Sequence, residues 1–98
     1  MKFRLIFNDD SKDQFLELKK SKNKQSFFKA ACKTLAFMET NLRHPSLNTH
    51  DFSSLHGPND EKVFESYAQN KTPGAYRIFW YYGPKKGEIT IASIIPHP

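Results

Sequence analysis

The chain has 98 residues, with 15 Lys and Arg against 10 Asp and Glu, which gives a net charge of +5 at pH 7. This length predicts a single domain over residues 1–98, with one modest core. The single cysteine excludes an internal disulfide, and the N-terminal apolar run is too short for a signal peptide or a membrane span. We therefore expect a cytoplasmic protein. Its positive charge indicates either an anionic partner or a solvated lysine-rich face.

The chain begins with the pattern of a strand followed by a helix. Charged and apolar residues alternate over the start of residues 2–7, which predicts a short strand. Asp10 or Ser11 can cap the following helix, and Ser11 with Gln14 has capping-box spacing. The apolar face over residues 12–20 predicts that helix.

A second helix is predicted over residues 24–42, where apolar residues recur at steps of three and four. The short polar link between the two helices makes them a helical hairpin. The hairpin carries a run of lysines over residues 12–33. This run indicates a solvated outer face, or else a contact surface for an acidic protein or for RNA phosphate.

The stretch HPSLNTHDFSSLHGPND, residues 44–60, has no regular period and is interrupted by proline and glycine. It predicts a long loop, and loops of this length are often functional. The loop contains His44, His50 and His56 at equal spacing. No cysteine accompanies them and a broken loop does not align them on one face, so we expect neither a zinc site nor any other metal or cofactor.

Three further strands are predicted, over residues 62–68, 76–82 and 88–95. The last is expected to alternate strictly, with one face formed by Ile89, Ile91 and Ser93 and the other by Thr90, Ala92 and Ile94. The predicted order is therefore β-α-α-β-β-β. It corresponds to an α+β fold with a helix hairpin packed on one face of a small, mostly antiparallel sheet.

The stretch AYRIFWYYG, residues 75–83, places an arginine in the interior of an aromatic strand. Alternation puts Arg77 on the same face as Phe79 and Tyr81. Because two helices cover only one face, we expect Arg77 on the other face beside exposed rings, as on a nucleic-acid surface. The alternative is an ion pair with Glu65 or Glu88 on a neighbouring strand.

The whole pattern resembles the RelE/ParE superfamily of toxins from type II toxin–antitoxin systems. The resemblance rests on the element order, the SLHG loop before the second strand, the Tyr76-Arg77 pair and the ending ITIASIIPHP. It implies a cognate antitoxin as partner. It also implies either an endoribonuclease that cuts mRNA, on the ribosome or free, or a non-catalytic toxin that binds a protein target such as DNA gyrase. A decayed toxin that retains only antitoxin binding is the third alternative.

The resemblance also implies roles for individual residues, although whether the chain is an enzyme stays open. In the RelE-like nucleases the arginine of the tyrosine-arginine strand contacts the scissile phosphate, which corresponds to Arg77. In several branches a histidine or a tyrosine near the C-terminus acts as acid or base, and His97 occupies a comparable place. Lys62 is a second cation on or beside the same sheet. Further substrate contacts are expected from Phe79, Tyr81, Lys85 and Lys86.

Overall fold

The computed structural model describes residues 2–70 and 73–97. In chain order, the helices and strands are β1 (Arg4–Phe7), α1 (Asp9–Lys20), α2 (Gln25–Thr40), β2 (His50–His56), β3 (Lys62–Tyr67), β4 (Tyr76–Tyr82) and β5 (Glu88–Pro96). The strands form one sheet in the order β1-β5-β4-β3-β2, parallel only between β1 and β5. The predicted α+β class, with a helix hairpin on a mostly antiparallel sheet, is confirmed. Within the described residues, no helix is both long enough and apolar enough to cross a membrane.

Helix α1 begins earlier than the sequence pattern indicated. Its N-cap is Asn8, whose side-chain oxygen accepts a 2.8 Å hydrogen bond from the backbone N–H of Ser11. The expected cap at Asp10 or Ser11 is therefore wrong, and Ser11 is buried within the first turn. Asn, like Ser and Asp, is a favoured N-cap. Asp9 and Asp10 then place negative charge at the helix N-terminus, where the helix dipole favours it.

The predicted loop over residues 44–60 contains a strand that the sequence pattern did not reveal. Strand β2 lies at the edge of the sheet and pairs antiparallel with β3, with His50 opposite Glu65. Its ladder is irregular, and apart from the half-buried Phe52 its residues are exposed. An edge strand that buries so little apolar surface has no alternation for a sequence analysis to detect.

The main core lies between the helices and the sheet. Its buried residues come from both helices, from the segment before β2 and from β4 and β5: Leu18, Ala31, Leu35, Met38, Leu47, Tyr76, Ile78, Trp80, Ile89, Ile91 and Ile94. A second, smaller core covers the other face of the sheet. It consists of Val63, Phe79 and Tyr81, with Phe52, Ala92 and Ile95 packed against them. The face away from the helices is therefore apolar and covered at its centre.

A β-bulge interrupts the pairing of β4 with β5. Phe79 lies opposite Ser93, but the next residue, Trp80, lies opposite Ile91, so β5 carries one extra residue, Ala92, at this point. Such a bulge bends the strand and changes which side chains share a face.

Side chains of the first helical segment bind the backbone beside the bulge. The amide nitrogen of Asn8 donates to the carbonyl of Ala92 at 3.2 Å, and Gln14 accepts from the N–H of Ile94 at 2.7 Å. Beyond the bulge the expected alternation of β5 is wrong, because Ile94 joins Ile91 in the helix-side core.

We expect Met38→Ala to lower the free energy of unfolding by about 2–5 kcal/mol, because Met38 is fully buried in the main core. Urea unfolding measures the effect. Glu39→Ala, one position along on the exposed side of α2, is the matched control and should change stability by less than about 0.5 kcal/mol. Equal effects of the two substitutions would contradict the assignment of this helix face.

Candidate active site

Arg77 lies on the sheet face away from the helices, as the alternation of β4 predicts. Its neighbours along the strand, Tyr76 and Ile78, belong to the helix-side core, whereas Phe79 belongs to the smaller core on the other face. Arg77 is nevertheless only 7% exposed. An open sheet face would leave it far more accessible, so Arg77 lies in a covered pocket at the end of the smaller core.

The guanidinium of Arg77 is held by a ring and a backbone carbonyl. Its central carbon lies 3.7 Å from the centre of the Tyr67 ring, the residue directly opposite in the β3–β4 ladder. One terminal nitrogen donates to the carbonyl of Gln69 at 2.7 Å. Stacking on an aromatic face and a hydrogen bond in the guanidinium plane are the two interactions that suit arginine best.

The Nε of Arg77 is buried without a hydrogen-bond partner among the described residues. It lies 3.8 Å from Oε2 of Glu65, which is close enough for an ion pair but too long for a hydrogen bond. The expected alternative, in which Arg77 pairs with Glu65, is thus also present in the structure. A buried N–H without an acceptor is costly, so this nitrogen requires a partner such as a water molecule, an ion or a ligand.

Glu65 is the centre of the surrounding group, and its side chain is only 2% exposed. Oε1 is bound by Nε2 of His50 at 2.5 Å, and Oε2 by Nδ1 of His97 at 3.1 Å. Burial of a carboxylate is costly unless its oxygens are paired, and each oxygen of Glu65 contacts one of the two histidines. We refer to Glu65, Arg77, His50, His97 and Tyr67 together as the Glu65 cluster.

The two histidines form the accessible rim of the Glu65 cluster. The side chain of His50 is 47% exposed and that of His97 is 51% exposed, in contrast to the buried Glu65 and Arg77. His97 lies just after β5 and is fixed by its own N–H, which donates to the carbonyl of Ala75 at 2.8 Å. A ligand approaching this face therefore meets imidazole rings first, with the guanidinium behind them.

Lys62 is not part of this cluster. It lies at the opposite end of β3 from Tyr67, and its ammonium nitrogen is 2.8 Å from Oδ2 of Asp51. Its side chain is 65% exposed. The structure therefore gives Lys62 a surface ion pair, and such pairs contribute little to stability.

The other residues expected to contact substrate are also outside the cluster. The rings of Phe79 and Tyr81 are buried in the smaller core, not exposed as expected, because Phe52 and Ile95 cover them. Lys85 and Lys86 are exposed in the β4–β5 turn. That turn is at the far end of β4 from Arg77, roughly 20 Å away at the usual rise per strand residue.

Three members of the cluster were not singled out as functional from the sequence. Glu65 was considered only as an ion-pair partner of Arg77, His50 only as a zinc ligand, and Tyr67 not at all. For Glu65 and Tyr67 a signal existed, since strand alternation places both on the same face of β3. For His50 none existed, because the edge strand that carries it has no periodic pattern.

The equally spaced histidines of residues 44–60 are not brought together. His44 stacks on Phe37, with ring centres 3.9 Å apart, while His50 joins the Glu65 cluster. Among the residues that the structure describes, no group of three or more His, Cys, Asp or Glu side chains is arranged to hold a metal ion.

The cluster combines three chemical capacities. A guanidinium with an unsatisfied N–H can bind an anionic oxygen, and its planar fork suits a phosphate. A half-exposed imidazole can exchange a proton near neutral pH. A buried carboxylate behind that imidazole fixes the orientation of the ring. Groups of these kinds can take part in acid–base chemistry at a phosphate.

No protein-family profile matches this sequence, and no curated protein matches it either. Solved structures do match over essentially the whole chain. The archaeal RelE of a RelE–RelB complex from Pyrococcus horikoshii is 14% identical with a TM-score of 0.65, over 98% of this chain and 96% of that one. A YoeB/ParE toxin from Agrobacterium tumefaciens is 9% identical with a TM-score of 0.69, over the full length of both chains. YoeB from a Staphylococcus aureus dimer is 12% identical with a TM-score of 0.64, again over both full lengths.

The chain therefore shares the α+β fold of these RelE and YoeB structures, with two helices packed on a five-stranded sheet.

We expect Glu65→Ala to lower the free energy of unfolding by about 3 kcal/mol, because it leaves the buried guanidinium of Arg77 without its carboxylate. Urea unfolding measures the loss. Glu17→Ala, which removes an exposed glutamate of α1, is the matched control and should be nearly neutral. A loss no larger than that of the control would mean that the cluster contributes nothing to stability.

Proposed function

We propose that this chain is the toxin of a type II toxin–antitoxin system and acts as a metal-independent endoribonuclease on mRNA. The likeness to RelE and YoeB structures supports the toxin role through the fold. The observation that carries the nuclease role is the unsatisfied Nε of Arg77 beside the Glu65–His97 pair. A fold hosts many functions, so the chemistry must be argued from this site.

The reaction consists of the attack of an RNA 2′-hydroxyl on the adjacent phosphate. The oxygen–phosphorus bond to the 2′-oxygen forms, the bond to the 5′-oxygen breaks, and a 2′,3′-cyclic phosphate results. The pentavalent phosphate carries extra negative charge in the transition state. The guanidinium of Arg77 stabilises that charge, and Tyr67 and the carbonyl of Gln69 already hold it in place. Because the side chain of Arg77 is only 8% exposed, the rim of the cluster must open for the phosphate to reach it.

The 2′-hydroxyl loses a proton and the leaving 5′-oxygen gains one; His97 carries out one of these two proton transfers, and solvent carries out the other. The Nδ1 of His97 is bound to Glu65, so its Nε2 is the ring atom that is left for the substrate. The carboxylate fixes the ring orientation and stabilises the imidazolium, as it does in the serine hydrolase triad. Glu65 itself is too buried to touch RNA without a rearrangement, so it acts through His97.

An antitoxin is the proposed protein partner. The Pyrococcus RelE was solved in a complex with RelB, and the present chain has the same fold. The many exposed lysines give this chain a net positive charge, which favours an acidic antitoxin segment as well as RNA. The ribosome is included in the proposal as the place where mRNA is cut.

A second candidate is a non-catalytic toxin that binds a protein target such as DNA gyrase. One observation favours it: the short hydrogen bond of Arg77 goes to the backbone carbonyl of Gln69, and the side chain is only 8% exposed. An arginine bound in this way can be purely structural. Cleavage assays distinguish the two candidates, because only the nuclease needs the acid–base group at His97.

We expect expression of the chain alone to arrest bacterial growth, and co-expression of the protein encoded by the adjacent gene to relieve the arrest. Growth curves with immunoblots of the soluble fraction measure both effects. Normal growth at high levels of soluble protein would count against the toxin role. Arrest with intact mRNA would favour the gyrase-type candidate.

We expect Arg77→Ala to slow cleavage of translated mRNA by about a hundredfold or more, with little effect on RNA binding. Arg77→Lys should restore only part of the rate, because an ammonium cannot form the planar fork. His97→Ala should cost about 10²- to 10⁴-fold and flatten the pH dependence near neutrality, where histidines titrate.

The cleavage assay contains ribosomes and a chelator, and its readout is the set of mRNA 5′ ends. Arg43→Ala is the matched control, since Arg43 is an exposed arginine after α2 and outside the Glu65 cluster. Circular dichroism checks that each variant is folded. Wild-type rates in both Arg77→Ala and His97→Ala would mean that the catalytic residues lie elsewhere.

A further inference from the structure

The imidazole of His50 is fixed at both of its ring nitrogens. Nδ1 lies 2.9 Å from the backbone carbonyl of Asn48, and Nε2 lies 2.5 Å from Oε1 of Glu65. Asn48 is itself held, because its N–H donates to the carbonyl of Pro45 at 3.1 Å. The His50 ring therefore lies between the turn at Asn48 and the buried carboxylate of Glu65, although almost half of the side chain is exposed.

These contacts fix the position of one proton. A carbonyl oxygen can only accept, so Nδ1 of His50 must carry a hydrogen. Nε2 lies within ion-pair distance of Oε1 of Glu65, and this close contact occupies Oε1.

His50 differs in this respect from His97, the other histidine of the cluster. His97 contacts Glu65 through one ring nitrogen, Nδ1, whereas both nitrogens of His50 are engaged. His50 cannot exchange a proton with a substrate unless one of these two contacts breaks. Its ring also packs edge-on against Tyr67, at 5.7 Å between centres, and Tyr67 carries the guanidinium of Arg77 on its face.

We infer that His50 is a positioning residue that acts through Glu65. By occupying Oε1, it leaves Oε2 as the carboxylate oxygen that faces both His97 and Arg77. The orientation of the His97 ring toward the substrate thus depends on a residue of a different strand that does not react. The expected effect of His50 on the rate of mRNA cleavage rests on the proposed nuclease function. The expected protonation of its Nδ1 does not depend on that function.

Two substitutions separate the two contacts of the His50 ring. The amide nitrogen of glutamine reaches about as far as Nε2, so His50→Gln can keep the bond to Glu65. The amide nitrogen of asparagine lies near the position of Nδ1, so His50→Asn can keep the bond to Asn48 but not the bond to Glu65. His56→Asn, at the exposed other end of β2, is the matched control.

We expect His50→Asn to lower kcat for mRNA cleavage by about tenfold to a hundredfold with KM nearly unchanged, because a misplaced proton-transfer group affects the chemical step. His50→Gln should retain most of the wild-type kcat, and His56→Asn all of it. Urea unfolding confirms that the compared proteins are folded. Equal losses in His50→Gln and His50→Asn, or no loss in His50→Asn, would overturn the positioning role.

Nitrogen-15 NMR of the free wild-type protein tests the same inference without cleavage. Nδ1 of His50 should be protonated, and Glu65→Gln should shift the ring signals of both His50 and His97. An unprotonated Nδ1 at His50 would overturn the inference, whatever the kinetics. If the wild-type protein cuts no RNA, the proposed function fails, and the NMR result alone decides whether His50 is held as inferred.

Discussion

Strand β4 is buried on both of its faces, and the positions of the functional groups follow from this constraint. Residues from Tyr76 to Tyr81 are all buried, with the helices on one side and the smaller core on the other. An arginine within such a strand must satisfy its donors inside the protein. The ring of Tyr67, the carbonyl of Gln69 and the carboxylate of Glu65 surround Arg77 and hold its guanidinium in place.

The Glu65 cluster is assembled across strands, not along one segment. His50 comes from β2, Glu65 and Tyr67 from β3, Arg77 from β4, and His97 from the residues after β5. Its geometry therefore depends on strand register more than on local sequence. The solved structures that share this fold are only 9–14% identical to the chain, which is consistent with a fold defined by its strand order and core pattern.

The sequence predicted the fold class, the helix hairpin, the strands β3, β4 and β5, and the sheet face on which Arg77 lies. These predictions depend on periodic burial, which a sequence displays directly. It did not predict β2, because an exposed edge strand has no apolar period. It also suggested exposed rings at Phe79 and Tyr81, since nothing in the pattern shows that Phe52 of the unrecognised strand covers them.

Within the site, Arg77 and His97 were expected and the structure places them about the same carboxylate. Their roles remain proposals. Lys62 was expected beside them, but it lies at the opposite end of β3 from the cluster. The sequence pattern does not show how far Lys62 lies from Arg77 and His97. His50 could not be predicted, because its contact with Glu65 exists only through the pairing of β2 with β3.

The extra residue at the β5 bulge, Ala92, determines on which side of the sheet His97 lies. Upstream of the bulge, the odd-numbered residues Ile89 and Ile91 point toward the helices, while downstream it is the even-numbered Ile94. With unbroken alternation His97 would have followed Ile91 onto the helix side, away from Glu65. The contact of His97 with Glu65 thus depends on the extra residue in β5, and a one-residue deletion near Ala92 would move His97 to the other face without removing any member of the cluster.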